Sequence, residues 1–243
     1  MDLIFVFPVL LFVVAFLYAS VGHGGASGYL ALMALFGMAP DFMKPTALLL
    51  NLFVSSVAFI FFLRGGHFKW KLFWPFALAS IPMAFIGGMI SIDGNLYKKI
   101  LGVLLFLPVA RLIAFPNKDQ YSLKDRVLFL SLLIGGGIGF LSGLIGIGGG
   151  ILLSPLLLLL NWSDQKQTAA VSALFIFVNS LSGLAGQLSK GFHIQPNMLS
   201  YVGIAFVGGS LGAWFGAIKF NQTILKYLLA AVLFIAAIKL LTT

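Results

Sequence analysis

Long apolar runs separated by short polar links make up this chain. A helix needs about 20 apolar residues to cross about 30 Å of hydrocarbon. Stretches 3–21, 45–63, 72–91, 97–115, 126–145, 168–188, 196–217 and 222–241 reach that length. Two shorter apolar pieces, 26–38 and 150–160, are too short to span comfortably as straight helices. The pattern predicts eight long helices and two short ones.

Each short piece follows a glycine run set in apolar sequence. These are Gly22-His23-Gly24-Gly25-Ala26-Ser27-Gly28 and Gly143-Leu144-Ile145-Gly146-Ile147-Gly148-Gly149-Gly150. An interior glycine weakens a helix by about 0.8–1 kcal/mol relative to alanine, so both runs read as breaks that need bare backbone. Turn and capping residues fill the links: Ala39-Pro40-Asp41, Asn161-Trp162-Ser163-Asp164, Arg64-Gly65-Gly66-His67 and Lys190-Gly191-Phe192-His193. Pro116 to Arg126 is the longest polar link and the natural midpoint.

That midpoint divides a repeat. Gly22-His23-Gly24-Gly25 lies 124 positions before Gly146-Ile147-Gly148-Gly149, and Gly66 and Ser55 each lie 125 before Gly191 and Ser180. Phe106 and Arg111 lie 128 before Phe234 and Lys239. A nearly constant offset marks a duplicated half, so residues 1–118 and 119–243 are expected as two transmembrane repeats forming one transmembrane domain. If each glycine run joins a long helix to a short returning one, each half holds five segments. An odd number forces the second half into the membrane upside down, giving inverted repeats, a common transporter plan. A single helix over 3–38 would instead be about 54 Å long, too long without strong tilt.

Composition agrees with a membrane setting: the 243 residues are 60% hydrophobic and 9% charged, whereas soluble domains hold about 25% charged residues. Fifteen Lys and Arg against six acids, all Asp, leave a net charge of +9. The bases lie between apolar runs and flank membrane helices, so no nucleic-acid partner is expected. Chain-start Met1-Asp2 lacks a basic region, and the first apolar run is expected to be a retained span. One side collects Arg64, Lys69, Lys71, Arg111, Lys118, Lys124, Arg126, Lys166, Lys219 and Lys226; the other holds Lys44, Lys98, Lys99, Lys190 and Lys239. The positive-inside bias then places both termini outward.

Absent chemistry narrows the function. There is no Cys, which removes disulfides and thiolate sites, no Glu, and no Asp within the spans, so a cation pump is disfavoured. Three scattered histidines make a poor metal site, and no nucleophile triad, phosphate loop or dinucleotide fingerprint occurs. Neither enzymatic activity nor a cofactor is expected.

The breaks supply what a carboxylate cannot. A half-helix starting inside the membrane exposes unpaired N–H groups and a positive dipole end, which attract an anion. Gly24, Gly25, Gly148 and Gly149 are therefore candidate anion ligands through their backbone. Single glycines such as Gly87, Gly88, Gly208 and Gly209, and the Gly139/Gly143 spacing, read instead as close helix packing. Polar residues follow each break: Thr46, Asn51, Ser55 and Ser56, then Thr168, Ser172, Asn179, Ser180 and Ser182. Asn51, Ser55, Ser172, Asn179 and Ser180 are candidate side-chain donors, with interhelical hydrogen bonding as the alternative reading. His23, where the second run has Ile147, is a candidate for anion binding as imidazolium or for shuttling a proton, or else a neutral side chain on a carbonyl. His67 and His193 sit in turns and read as solvated, and Trp70, Trp74, Trp162 and Trp214 as interfacial anchors.

The duplicated Gly-x-Gly-Gly run after a hydrophobic helix, followed in each half by a polar-start helix (Thr46-Ala47; Thr168-Ala169-Ala170-Val171-Ser172), resembles the sulfite exporter TauE/SafE family, also described as toluene-sulfonate uptake permeases. The likeness covers nearly the whole chain. It implies a multi-pass bacterial or archaeal inner-membrane carrier for sulfite, sulfonates, sulfoacetate or similar small anions, with seven or eight spans.

The expectation is an all-α, inverted-repeat secondary transporter moving a small anion by alternating access, with a proton or a sodium ion as candidate coupling ions and neither written in the sequence. An anion channel or a non-transporting scaffold subunit is the alternative. Partners are the lipid bilayer and the anion; glycine-rich faces permit, without requiring, a homodimer.

Overall fold

A computed structural model describes residues 3–20, 24–114, 124–216, 234 and 237–242. Its helices are α1 (Leu3–Ser20), α2 (Ala26–Leu35), α3 (Pro40–Arg64), α4 (Trp70–Met89), α5 (Gly94–Ala114), α6 (Leu128–Ile145), α7 (Gly150–Leu159), α8 (Gln165–Leu188) and α9 (Pro196–Gly216), and residues 237–242 are helical too. No strand occurs among the described residues. Every apolar run up to 217 is thus found as a helix, with both short pieces as separate ten-residue helices. Most of the predicted last span lies outside the described residues. By length and composition α3, α4, α6 and Lys166–Leu188 of α8 can each cross a membrane.

Local chemistry sets the helix starts. Asp164 caps α8 by accepting from Gln167 N–H at 2.8 Å, and Asp93 accepts from Asn95 N–H at 2.8 Å at the start of α5. The predicted cap before α3 works differently: Pro40 begins the helix, and Ala39 gives no side-chain bond.

α2 folds back along α1, and α7 along α6. Phe36, just past α2, packs edge-on against Phe7 near the start of α1, with centroids 5.2 Å apart. Asn161, just past α7, accepts from Lys124 N–H, upstream of α6, at 2.8 Å. Each short helix therefore returns to the level where its long partner began. Ten residues rise about 15 Å, half the thickness of a bilayer's hydrocarbon, so neither short helix can cross one alone.

Contacts along the helices fix their directions. Gly135, Gly139 and Gly143 of α6 lie against the backbone at Phe76, Ser80 and Ala84 of α4, so these two run parallel. Gly208 and Gly212 of α9 lie against Phe12 and Phe16 of α1, again in parallel. α3 and α8 run antiparallel: Asn51 bonds Ser180, and Leu48 touches Gly183. Since α3 begins where α2 ends and α8 begins where α7 ends, the two short helices return toward opposite ends of the bundle.

Most of the single glycines serve packing, as the sequence suggested. Gly87 and Gly88 meet the backbone of α6 and of Gly183, and Gly208 that of Phe12, whereas Gly209 rests on the Val54 side chain. Helix pairing survives exchange of the halves: α4 packs on α6 and α8, while α9 packs on α1 and α3. Phe106 and Phe234, matched in the repeat, stack edge-on at 5.8 Å.

Cations sit at both ends of the bundle. At one, Lys44 Nζ reaches the carbonyls of Gly87, Gly88 and Ile90 at 3.2–3.4 Å, Lys190 donates to Ser91 Oγ at 3.0 Å, and Lys239 donates to Leu35 O at 2.6 Å. At the other, the Arg126 guanidinium lies 5.4 Å from the centroid of the Trp74 ring. Trp70 and Trp214 are exposed, as anchors should be, but Trp162 is buried and tilts against Phe76 at 6.2 Å. That corrects its reading as an anchor: the turn carrying it folds inward onto α4.

Candidate functional site

The two breaks converge on the crossing of α3 and α8. Gly24 lies beside Ile176 and Asn51, and Gly148 beside Asn51, Ile176 and Ser180. Asn51 Nδ2 donates to Ser180 Oγ at 3.3 Å, and both residues are fully buried. Asn51 and Ile176 are 125 apart, the same offset that separates Ser55 from Ser180. The crossing thus sets the polar Asn51 and Ser180 beside the apolar Ile176.

Both half-helices begin with a glycine in the left-handed region: Gly25 at φ 89° and Gly149 at φ 78°. A side chain is strained there. Neither N-cap carries a side-chain hydrogen bond. The first helical bond of α2 is Tyr29 N–H to Gly25 O, at 2.9 Å, which leaves the preceding amides of that turn outside the helical ladder. Two positive dipole ends therefore point toward the same region.

The predicted donors divide. Gly24, Gly148, Asn51 and Ser180 come together, and Gly25 and Gly149 flank them. Ser172 shares a hydrogen bond with Ser154 of α7 at 2.8 Å; Asn179 Nδ2 folds back on Phe175 O of its own helix at 2.8 Å, while its Oδ1 is buried without a partner. Ser182 donates to Ile81 O of α4. Ser55 is fully buried with its hydroxyl unpartnered. His23 lies outside the described residues.

Between the breaks is a cavity of about 10 Å³, room for at most about one water, lined by Tyr18, Gly24–Ser27, Ile147, Ile151 and Ile176. Tyr18 Oη and Ser27 Oγ share a hydrogen bond at 2.8 Å on its wall. Tyr29 packs behind Gly25, fully buried, its hydroxyl unpartnered. Neither tyrosine was legible as a site residue, since each sits in a run that reads only as apolar. Lys44, also missed, is 7% exposed and closes the C-terminal carbonyls of α4, while its backbone abuts Gly146. Among the described residues no cluster of His, Asp, Glu or Cys could hold a metal.

An all-helical bundle with four helices long and apolar enough to cross a membrane, by length and composition, defines an α-helical membrane protein. Residues 7–240 match the model of the family described as "Sulfite exporter TauE/SafE", and the chain belongs to that family. It is 37% identical to "Probable membrane transporter protein y4hK" of Sinorhizobium fredii over 95% of each chain. It is 30% identical to "Probable membrane transporter protein ORF9" of Sinorhizobium sp, over 99% of this chain and 94% of that one. A relative in Methanocaldococcus jannaschii, likewise described as a probable membrane transporter protein, is 28% identical over 63% of this chain and 58% of its own. No solved structure matches.

Proposed function

We propose that the chain is a secondary transporter, not an enzyme, that carries a small anion such as sulfite, a sulfonate or sulfoacetate across a bacterial or archaeal inner membrane by alternating access. One observation carries this reading: two half-helix N-termini, entering from opposite ends, meet at Asn51, Ser180 and Gly148. Such ends are ready-made anion sites, and irregular backbone at this depth belongs where it faces a cavity.

The halves 1–118 and 119–243 act as inverted repeats in this mechanism. Support comes from the antiparallel run of α3 and α8 and from the stacking of Phe106 on Phe234. Rocking of one half against the other would open the centre alternately to each side. The small central cavity favours a carrier in its closed state over an open channel. The Lys and Arg distribution favours both termini outward, and a proton or a sodium ion is the candidate coupling ion.

Counterflow in proteoliposomes tests the proposal. Labelled sulfite or methanesulfonate should enter faster when the unlabelled anion is inside. Single-channel currents without counterflow would establish the channel. If no anion is transported or shifts the melting temperature, the scaffold reading stands.

A further inference from the structure

Hydrogen-bond donors from two other elements gather around the end of α4. Lys44 Nζ of α3 lies 3.4, 3.3 and 3.2 Å from the carbonyls of Gly87, Gly88 and Ile90. Gln187 Nε2 of α8 donates to the same Gly88 O at 2.8 Å, and Lys190 Nζ, just past α8, donates to Ser91 Oγ at 3.0 Å. Two ammonium groups and an amide are thus brought to Gly87–Ser91.

Lys44 is under-coordinated there. It is only 7% exposed, yet all three of its contacts exceed the 2.7–2.9 Å typical of a charge-assisted bond, and Gln187 already occupies one of its acceptors. Neither lysine forms an ion pair among the described residues. The acids of this end are placed elsewhere: Asp93 accepts from the amides of Asn95 and Leu96, and Asp41 is exposed in the first turn of α3. The negative end of α4, equivalent to about half a charge, draws cations but is overcompensated by two of them. A buried charge on a membrane helix calls for a partner, and the cluster supplies none.

Resting on the transporter reading above, we propose that Lys44, Gln187 and Lys190 form a second anion site at the mouth of the bundle, separate from the central cavity. Its ligand is a small anion with charged oxygens, held between the two ammonium groups and the Gln187 amide as Lys44 leaves the α4 carbonyls. A lipid headgroup offers the same charged oxygens, but a free anion fits better because Lys44 lies inside the bundle. The site also has a route inward. Asn51 stands seven residues beyond Lys44, about 10 Å along the same face of α3, with Leu48 between them against Gly183.

Footprinting of the purified full chain in lipid-free detergent tests this, with methanesulfonate as the probe. At ten times its Kd the anion should slow labelling of Lys190 by an amine-reactive ester about tenfold. Lys71, exposed at the opposite end of α4, should label as before. Lys44→Gln should raise the concentration needed for protection about 10- to 100-fold, the loss of one bond to a charged group, and Lys44→Arg should restore it. In proteoliposomes Lys44→Gln should raise KM far more than it lowers kcat, which a merely structural cap on α4 would not do. Lys190→Gln, at an exposed position, should raise KM about two- to fivefold and decides the matter if Lys44→Gln fails to fold. If methanesulfonate leaves Lys190 labelling unchanged, if Lys44→Gln is protected at the wild-type concentration, or if Lys190→Gln keeps the wild-type KM, the inference is wrong and the transporter reading stands. Protection of Lys190 by phosphatidylglycerol but not by methanesulfonate would make the cluster a lipid site and overturn it equally. If no small anion shows counterflow with the wild type, the transporter reading falls and takes the inference with it.

Discussion

Asn51 on α3 donates its side-chain amide to Ser180 on α8 across 3.3 Å, at the point where the two glycine breaks meet. The bond joins the first half of the chain to the second. The Asn51 carbonyl oxygen Oδ1 is buried without a partner, so the amide is half-satisfied. A membrane interior makes such a group costly unless something else completes it.

Ser180→Ala and Asn51→Leu should therefore differ. The alanine leaves a buried donor unpaired and should lower unfolding stability in detergent by about 1–3 kcal/mol. Asn51→Leu also unpairs the Ser180 hydroxyl but removes the buried Oδ1 that has no partner, so it should cost less than the alanine, yet abolish uptake in proteoliposomes. Denaturant unfolding and uptake together check this. A larger stability loss for Asn51→Leu than for Ser180→Ala would mean that the amide is structural.

The glycines of α6 give a second contrast within one helix. A side chain at Gly139 would run into the Ser80 backbone of α4, whereas one at Gly137 meets nothing within 4 Å. Gly139→Ala should destabilise by about 1–3 kcal/mol through overpacking. Gly137→Ala should be neutral or gain up to about 1 kcal/mol of helix propensity. Thermal unfolding of both variants separates seam from surface; similar losses would argue against so close an α4–α6 contact.

Periodicity and length sufficed to place the helices, because in hydrocarbon every backbone bond must be made within the segment and the apolar run itself marks the element. The breaks were legible for the complementary reason, since glycine clusters inside such runs have no other economical explanation. Side-chain roles were not. The sequence could not show that Asn179 Nδ2 folds back to Phe175 O with its Oδ1 left unpartnered, or that Ser172 bonds Ser154. Which face of a helix meets a cavity depends on the rotation of α8 against α3 and α7, and nearly uniform hydrophobicity carries little signal of rotation. Tyr29 was missed for the same reason.

Lys44 yields a third prediction. Its ammonium lies within 3.4 Å of three carbonyls at the end of α4, one of which, Gly88 O, also accepts from Gln187 Nε2 at 2.8 Å. Lys44→Met should destabilise by about 1–3 kcal/mol, a loss spread over bonds to one charged group. Hydrogen exchange should speed up at Gly87–Ile90. Lys190→Met, which removes an exposed contact to Ser91, should change stability by less than about 1 kcal/mol. Equal effects would place Lys44 in solvent rather than in the bundle.

The last prediction separates backbone strain from the site itself. Gly148 at φ 72° and Gly191 at φ 83° both occupy the left-handed region, so an alanine at either adds about 1–2 kcal/mol of strain. Their surroundings differ: Gly191 faces open space, while a methyl on Gly148 would meet Asn51 Nδ2 at 2.5 Å, Ile176 at 3.0 Å and Ser180 Oγ at 3.1 Å. Gly191→Ala should lose only the strain and keep transport. Gly148→Ala should lose more stability, displace the Asn51–Ser180 bond and stop uptake. Because the conformational penalty is common to both, the difference between them reports the crowding at the crossing alone. Equal uptake by the two variants would move the anion away from Gly148 and leave the break a purely structural device.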